Sequence, residues 1–115
     1  MTPGSIVVVD WRDALHGSGE PNKTRPAVVV GGADLFHDAF GYLLVVPMTT
    51  VASLALHGAT LEIAPSPENC CSQRSYALAW NAQTVPIARV RNTRARVTDA
   101  QLETLRDQVA RLVER

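Results

Sequence analysis

Nowhere does this 115-residue sequence approach the ~18 consecutive apolar residues of a membrane span. The N-terminus, Met1-Thr2-Pro3-Gly4, has neither a basic nor a long apolar segment. No signal peptide is therefore expected, and a cytoplasmic location is the default. Only two cysteines occur, adjacent at Cys70-Cys71. Neighbouring cysteines rarely bond to each other, and two thiols without a second pair do not make a zinc site. A structural or incidental role is expected, with an intermolecular disulfide as the lesser alternative. The three histidines, His16, His37 and His57, fall in separate loops without HxxxH spacing, which argues against a metal site. The glycines form no Walker or dinucleotide motif, so no cofactor is expected. Net charge is zero, which argues against binding nucleic acid by bulk charge. There is no repeat, no low-complexity tract and no linker.

What remains reads as one globular domain, 1–115. Apolar residues make up 46% and charged residues 19%. A chain of this size buries roughly two-thirds of its unfolded surface, enough for one core. The charge is unevenly spread. Arg89, Arg91, Arg94 and Arg96 fall within eight residues with no acid between them. They form either a solvated strand edge and loop or a stripe that contacts phosphates.

The pattern is mostly β. Ser5 to Asp10 is a short β-branched run that reads as a buried strand. Residues 12–24 form a polar, glycine-containing loop. A second strand runs from Pro26 to Gly31, and a third from Tyr42 to Met48, stopping near Pro47. Further strands are expected at 59–63, 75–80 and 84–90. The period then changes. Thr98 and Gln101 are spaced as a capping box, and Val97 and Leu102 as its hydrophobic staple. Leu102, Leu105, Val109, Leu112 and Val113 recur at three- and four-residue steps, predicting a helix from about 99 to 114. Short strands followed by one helix make a small, strongly bent sheet or barrel.

Arg25 is an obligate cation at the mouth of the second strand, and Thr49-Thr50 directly follow the third. If these strands are hairpin neighbours, Arg25 and Thr49 meet at one sheet edge. An Arg fork beside a hydroxyl suits a phosphate group. Each residue also has a plainer reading: Arg25 in a salt bridge with Asp10 or Glu20, Thr49 as a turn residue after Pro47. Trp11 either stacks a base or sits at the edge of the core. Trp80 reads as core or dimer interface.

The chain resembles the MazF/PemK family of toxin endoribonucleases nearly end to end. The resemblance is carried by Gly4-Ser-Ile-Val-Val-Val-Asp10-Trp11, Gly19-Glu20, Arg25-Pro26-Ala-Val-Val-Val, Val45-Val46-Pro47-Met48-Thr49-Thr50, Ser75-Tyr76-Ala77-Leu78 and Arg94-Ala-Arg96-Val97-Thr98. It implies a mainly β (α+β) fold: a small SH3-like β-barrel of about five to six strands with a C-terminal α-helix, usually a symmetric homodimer. It also implies metal-independent, sequence-specific cleavage of single-stranded RNA, often mRNA, through a 2′,3′-cyclic phosphate. A cognate antitoxin with an acidic tail would cover the site. Arg25 matches the family's catalytic Arg, Thr49 its hydroxyl residue, and Glu20 an acid five residues before the Arg. The expected RNA-binding residues are Trp11, His16, Thr50, Asn81, Gln83 and Arg89. Trp80-Asn81 stands where many members have Asp-Gln, and Gln83 where they have Arg. That departure bears on specificity and on activity.

Cyclising transfer needs charge stabilisation, a base for the 2′-OH and an acid for the leaving 5′-oxygen. Arg25 supplies donors to the phosphoryl oxygens. With a pKa above ~12 it is a poor base at neutral pH. Glu20 is a base candidate if burial raises its pKa, and His16 titrates near neutrality. Two alternatives share the fold. A gyrase-poisoning toxin of the CcdB type depends on a Trp-Gly-Ile ending, whereas Val113-Glu114-Arg115 stands here. A non-catalytic binding module is the other.

Overall fold

A computed structural model describes residues 1–11, 24–31 and 41–113. Among these, seven strands and one helix form: β1 (Ser5–Asp10), β2 (Thr24–Gly31), β3 (Tyr42–Thr49), β4 (Leu61–Ile63), β5 (Ser75–Ala77), β6 (Gln83–Pro86), β7 (Val90–Arg96) and α1 (Asp99–Arg111). The spatial order is β4-β5-β3-β2-β1-β7, with β6 also on β3, and every ladder is antiparallel.

β3 is the hub. One of its edges takes β2. The other takes β6 along Tyr42 to Val45 and then β5 at Met48 and Thr49. The expected stop near Pro47 does not occur, because the missing proline N–H falls where that edge changes partner. The Pro47 carbonyl accepts from Leu78 N at 2.8 Å. Two further strands are shorter than expected. The 59–63 strand covers only 61–63. The 75–80 strand ends at Ala77, and Ala79–Asn81 winds into a 3-10 turn. The expected strand at 84–90 is two strands parted by the turn Ile87–Arg89. β7 extends beyond it because an edge strand needs only one partner and tolerates charge that keeps other chains off.

β7 bulges against β1. It runs from Asn92 to Arg96 while β1 runs only from Val7 to Ser5. Thr93 occupies the bulge, donating its hydroxyl to the Ile6 carbonyl and accepting from Ala95 N at 3.0 Å. Arg96 donates to Thr2 Oγ1 and to the Pro3 carbonyl, both at 3.2 Å. A Cβ on Gly4 would lie 2.9 Å from Arg96 Nη2, and Gly4 has φ +94, a conformation that favours glycine.

The strands do not close into the expected SH3-like barrel. The path has two ends, β4 and β7, and no ladder joins them among the described residues. The segment 64–74 lies between, and the Arg96 N–H reaches across to the Glu68 carbonyl at 2.8 Å. The architecture is an open, bent, mainly β sheet carrying one C-terminal helix.

The central strands are buried on both faces, which is why they read as apolar runs rather than alternations. Ile6, Val28, Val30, Val46 and Met48 face Leu102 and Leu105 of α1. Val7, Val9, Trp11, Ala27, Val29 and Val45 form a second cluster on the opposite face. The capping box is formed: Gln101 N donates to Thr98 Oγ1 at 3.0 Å, and Thr98 N to Gln101 Oε1 at 2.9 Å. Val97 and Leu102, the expected staple, are both buried in the α1 cluster. The helix ends at Arg111, earlier than expected, and Leu112 and Val113 are exposed. Gln108 is buried in their place and donates to the Thr60 carbonyl at 3.2 Å.

Leu105 is fully buried beneath the sheet. Leu105→Ala should lower unfolding free energy by about 2–5 kcal/mol. Thr98→Ala should cost about 1 kcal/mol through the lost cap. Urea denaturation of both variants measures the two values.

Candidate functional site

Two steps beyond the last β2–β3 pair, Ala27 with Pro47, the same register brings Arg25 level with Thr49. The expected meeting of these residues is observed: both line the same two adjoining hollows. The first, about 120 Å³, is walled by Trp11, Arg25, Thr49, Leu54, Trp80 and Gln83, among others. The second, about 280 Å³, is lined by Arg25, Pro26, Thr49, Thr50, Val51 and Ser75, with Met48 beneath. Arg25 and Thr49 form the ridge between the hollows.

Arg25 is half-buried, and its Nε is enclosed with no hydrogen-bond partner. Of the plainer reading, the salt bridge to Asp10 is not met, since Arg25 makes no ion pair among the described residues, and the one to Glu20 lies outside them. A buried, unsatisfied donor on a charged group is costly, and none of the described residues offsets that cost. Thr49 is 8% exposed, and its Oγ1 accepts from Val51 N at 3.1 Å. The turn reading of Thr49 is therefore met. The hydroxyl braces the turn as an acceptor, and its own proton remains to be donated.

Trp11 meets the core-edge reading. It belongs to the second core cluster at 2% exposure, yet it lines the first hollow. Its indole N–H is buried without a partner. Asn81 and Gln83 also line this hollow, with Gln83 Nε2 donating to Asn81 O at 3.4 Å and Oδ1 at 3.3 Å. Thr50 lines the second hollow. Arg89 is not brought to either one. It sits with Asp10 and Thr24 around a separate depression, because the turn Ile87–Arg89 carries it toward β7. Of the other clustered arginines, Arg96 is engaged with the N-terminal turn, and Arg91 and Arg94 are exposed on the sheet edge. Glu20 and His16 lie outside the described residues, as does His37. No carboxylate or imidazole lines either hollow among the described residues. Cys70 and Cys71 are free thiols, and Cys70 adopts φ 56 in a turn built around Asn69.

Two wall residues were not foreseen. Trp80 stands on the 3-10 turn, not on a strand, and its Nε1 donates to the Leu54 carbonyl at 3.1 Å. Leu54 comes from the turn Ala52–Leu54, in a segment without periodicity. The available signal was the polar pair Asn81 and Gln83 directly after Trp80, which breaks the strand pattern. Leu54 carried none. No group of three or more metal-binding side chains occurs among the described residues, and no helix there is long and apolar enough to cross a membrane.

Comparison with known proteins bears on this site. The sequence profile of a family described as PemK-like, MazF-like toxin of type II toxin-antitoxin system matches residues 2–113. No curated protein shows significant sequence similarity. Among solved structures, MazF from Deinococcus radiodurans superposes with TM-score 0.73 at 17% identity, covering 98% of this chain and 96% of that one. An endoribonuclease in complex with its cognate antitoxin from a mycobacterial species gives 0.69 at 17%, covering 96% and 92%. The Mycobacterium tuberculosis toxin MazF-mt6 gives 0.66 at 17%, covering 93% of each chain. At these identities the likeness is one of fold.

Thr49→Val should lower unfolding free energy by about 0.5–1.5 kcal/mol, because the partly buried Val51 N–H loses its acceptor. Thr49→Ser, which keeps the hydroxyl, should cost less. Thermal and urea unfolding of the pair reads the difference.

Proposed function

The chain belongs to the family of PemK-like, MazF-like toxins of type II toxin–antitoxin systems, and from that premise we propose that it is a sequence-specific, metal-independent endoribonuclease acting on single-stranded RNA such as mRNA. The observation that carries this reading is the Arg25–Thr49 ridge, with an enclosed guanidinium donor that has no partner. A phosphodiester placed on the ridge supplies that partner. The hollows on either side accommodate the flanking nucleotides.

The reaction proceeds as an internal transfer. The 2′-oxygen attacks the adjacent phosphorus, the bond to the 5′-oxygen breaks, and a 2′,3′-cyclic phosphate remains. The 2′-OH proton passes to a base, and the departing 5′-oxygen takes up a proton. Arg25 stabilises the charge gathering on the non-bridging oxygens, where a preorganised donor in a water-poor site is most effective. Thr49 donates its free proton to the same phosphate. Arg25 stays protonated and is not the base. Glu20 takes that role in this reading, since it lies five residues before Arg25 in the chain; His16 is the second candidate. Thr50, Asn81 and Gln83 contact the RNA. The protein works in the cytoplasm as a homodimer, with a cognate antitoxin holding it inactive. One structural neighbour is an endoribonuclease bound to its cognate antitoxin, which supports this partner.

Incubation with RNA in EDTA should yield fragments ending in 2′,3′-cyclic phosphate. Dependence on added metal, or 3′-hydroxyl ends, would refute the mechanism. Arg25→Ala should stay folded and lose about 10²–10³ in cleavage rate. Arg25→Lys should also be poor, because a point charge cannot replace the planar fork.

Antitoxin and RNA should compete for the Arg25 ridge, and both complexes should weaken with salt. Competition binding tests the overlap, and light scattering tests the dimer. A ternary complex without mutual weakening, or a monomer at micromolar concentration, counts against this part of the reading.

A further inference from the structure

Packing does not hold the segment that follows Thr49. None of residues 50–58 is buried, and the 3-10 turn Ala52–Leu54 has no side-chain cap. Hydrogen bonds nevertheless run through it in series. Trp80 Nε1 donates to the Leu54 carbonyl at 3.1 Å, Leu54 N to the Val51 carbonyl at 3.2 Å, and Val51 N to Thr49 Oγ1 at 3.1 Å. Leu54 and Val51 each accept at the carbonyl and donate from the N–H, so each bond shares a residue with the next. Among the described residues, the Trp80 bond is the one hydrogen bond from 51–58 to a residue outside 49–60.

The far end of the series is anchored. Trp80 N donates to the Ala59 carbonyl at 3.1 Å, Ala79 is fully buried in the α1 cluster, and Leu78 N donates to the Pro47 carbonyl at 2.8 Å. The circuit thus leaves β3 at Thr49 and returns to it at Pro47. A hydroxyl rotates to suit its partners, accepting through its lone pairs and donating its one proton elsewhere. With the Val51 N–H on one lone pair, the Thr49 proton points away from the turn. We propose that Trp80 is a positioning residue for Thr49. Its indole N–H, acting through Leu54 and Val51, keeps the Thr49 hydroxyl an acceptor on its turn side and so leaves the proton for the phosphate on Arg25. The effect on cleavage rests on the nuclease reading above. A Trp80 ring that held RNA directly would act on binding instead, and would do so with or without the Thr49 hydroxyl.

The test is Trp80→Phe, which keeps an aromatic ring and loses the N–H. The Val51 amide, at the other end of the series, should shift in the NMR spectrum and exchange with solvent about fivefold faster, as the loss of one net hydrogen bond implies. RNA cleavage in EDTA should lose about fivefold in kcat, with KM within about twofold. In a Thr49→Val background the same substitution should change kcat by less than about twofold, because residues that act through one another are not additive. Leu54→Pro removes the N–H in the middle of the series and should reproduce both the Val51 shift and the kcat loss. It decides the matter if Trp80→Phe does not fold. An unmoved Val51 amide, a loss that falls on KM, or a loss undiminished in the Thr49→Val background overturns the proposal. A protein that cuts no RNA sinks the nuclease reading, and the Val51 amide then decides the placing of Thr49 by itself. One that cuts RNA while its Val51 amide ignores both substitutions sinks the positioning role and keeps the nuclease.

Discussion

The β2–β3 register is the constraint on which everything else depends. Ala27 faces Pro47, Val28 faces Val46 and Val29 faces Val45. Because side chains alternate, a slip of one residue would swap the two faces of the pair. Arg25 would then point with Ala27 and Val29 toward α1, and Thr49 would lose its place beside it. The register is held from both sides. β3 also pairs with β5 and β6, and β2 also pairs with β1. Both faces of the central strands are apolar, so burial alone does not distinguish the correct register from a slipped one. The distinction comes from the polar ends. Arg25 and Thr49 reach solvent only where the ladder stops, and Pro47 fits only where its missing N–H faces a change of partner.

This explains why the site sits where it does. A sheet buried on both faces has no broad surface to offer a ligand. Its accessible chemistry must lie at strand ends, where core gives way to loops. β1 ends at Asp10 before Trp11, β2 opens with Thr24 and Arg25, and β3 closes with Thr49. Three adjacent strands thus deliver an indole, a guanidinium and a hydroxyl to one rim. Each is anchored by a rigid strand, so their spacing does not depend on a flexible loop. The cost is visible in the same place: two buried donors without partners, in a domain whose other strained corners are satisfied. Thr93 serves its bulge, and Asn69 serves the turn at Cys70 by accepting from Cys71 N at 2.9 Å. Among the described residues, buried side-chain polar atoms without partners occur only on Trp11, Arg25 and Gln108. That distribution separates a site from a packing defect.

Much of this was legible in the residues. β-branched runs marked β1, β2 and β3, and the capping box with its staple marked the start of α1. Arg25 and Thr49 could be placed together from strand ends alone. Other features were not legible, for physical reasons. β7 carries arginines in place of apolar residues, because an edge strand with a bulge is held by backbone bonds and not by a buried face. The helix stripe ran on to Leu112 and Val113 in sequence, but the helix turns off after Arg111, and Gln108 takes the buried position. Closure of the sheet depends on β4 and β7 meeting, which no local pattern reports. Trp80 looked like a strand residue because its neighbours Tyr76 to Leu78 alternate. The 3-10 turn that carries it follows from tertiary contacts with Leu54, twenty-six residues away.

The replacement of Asp-Gln by Trp80-Asn81 acquires a physical meaning from this geometry. A carboxylate lining the same hollow as Arg25 would pair with it or offset its charge, and it would supply the acceptor that the buried donors lack. Trp80 supplies neither. Among the described residues it leaves Arg25 uncompensated and the Trp11 N–H unpaired, and it lowers the polarity around both. In such surroundings a cation interacts more strongly with an arriving phosphate than it would beside a carboxylate. The substitution therefore need not weaken the site. On the nuclease reading, it moves the acceptor from the protein to the RNA.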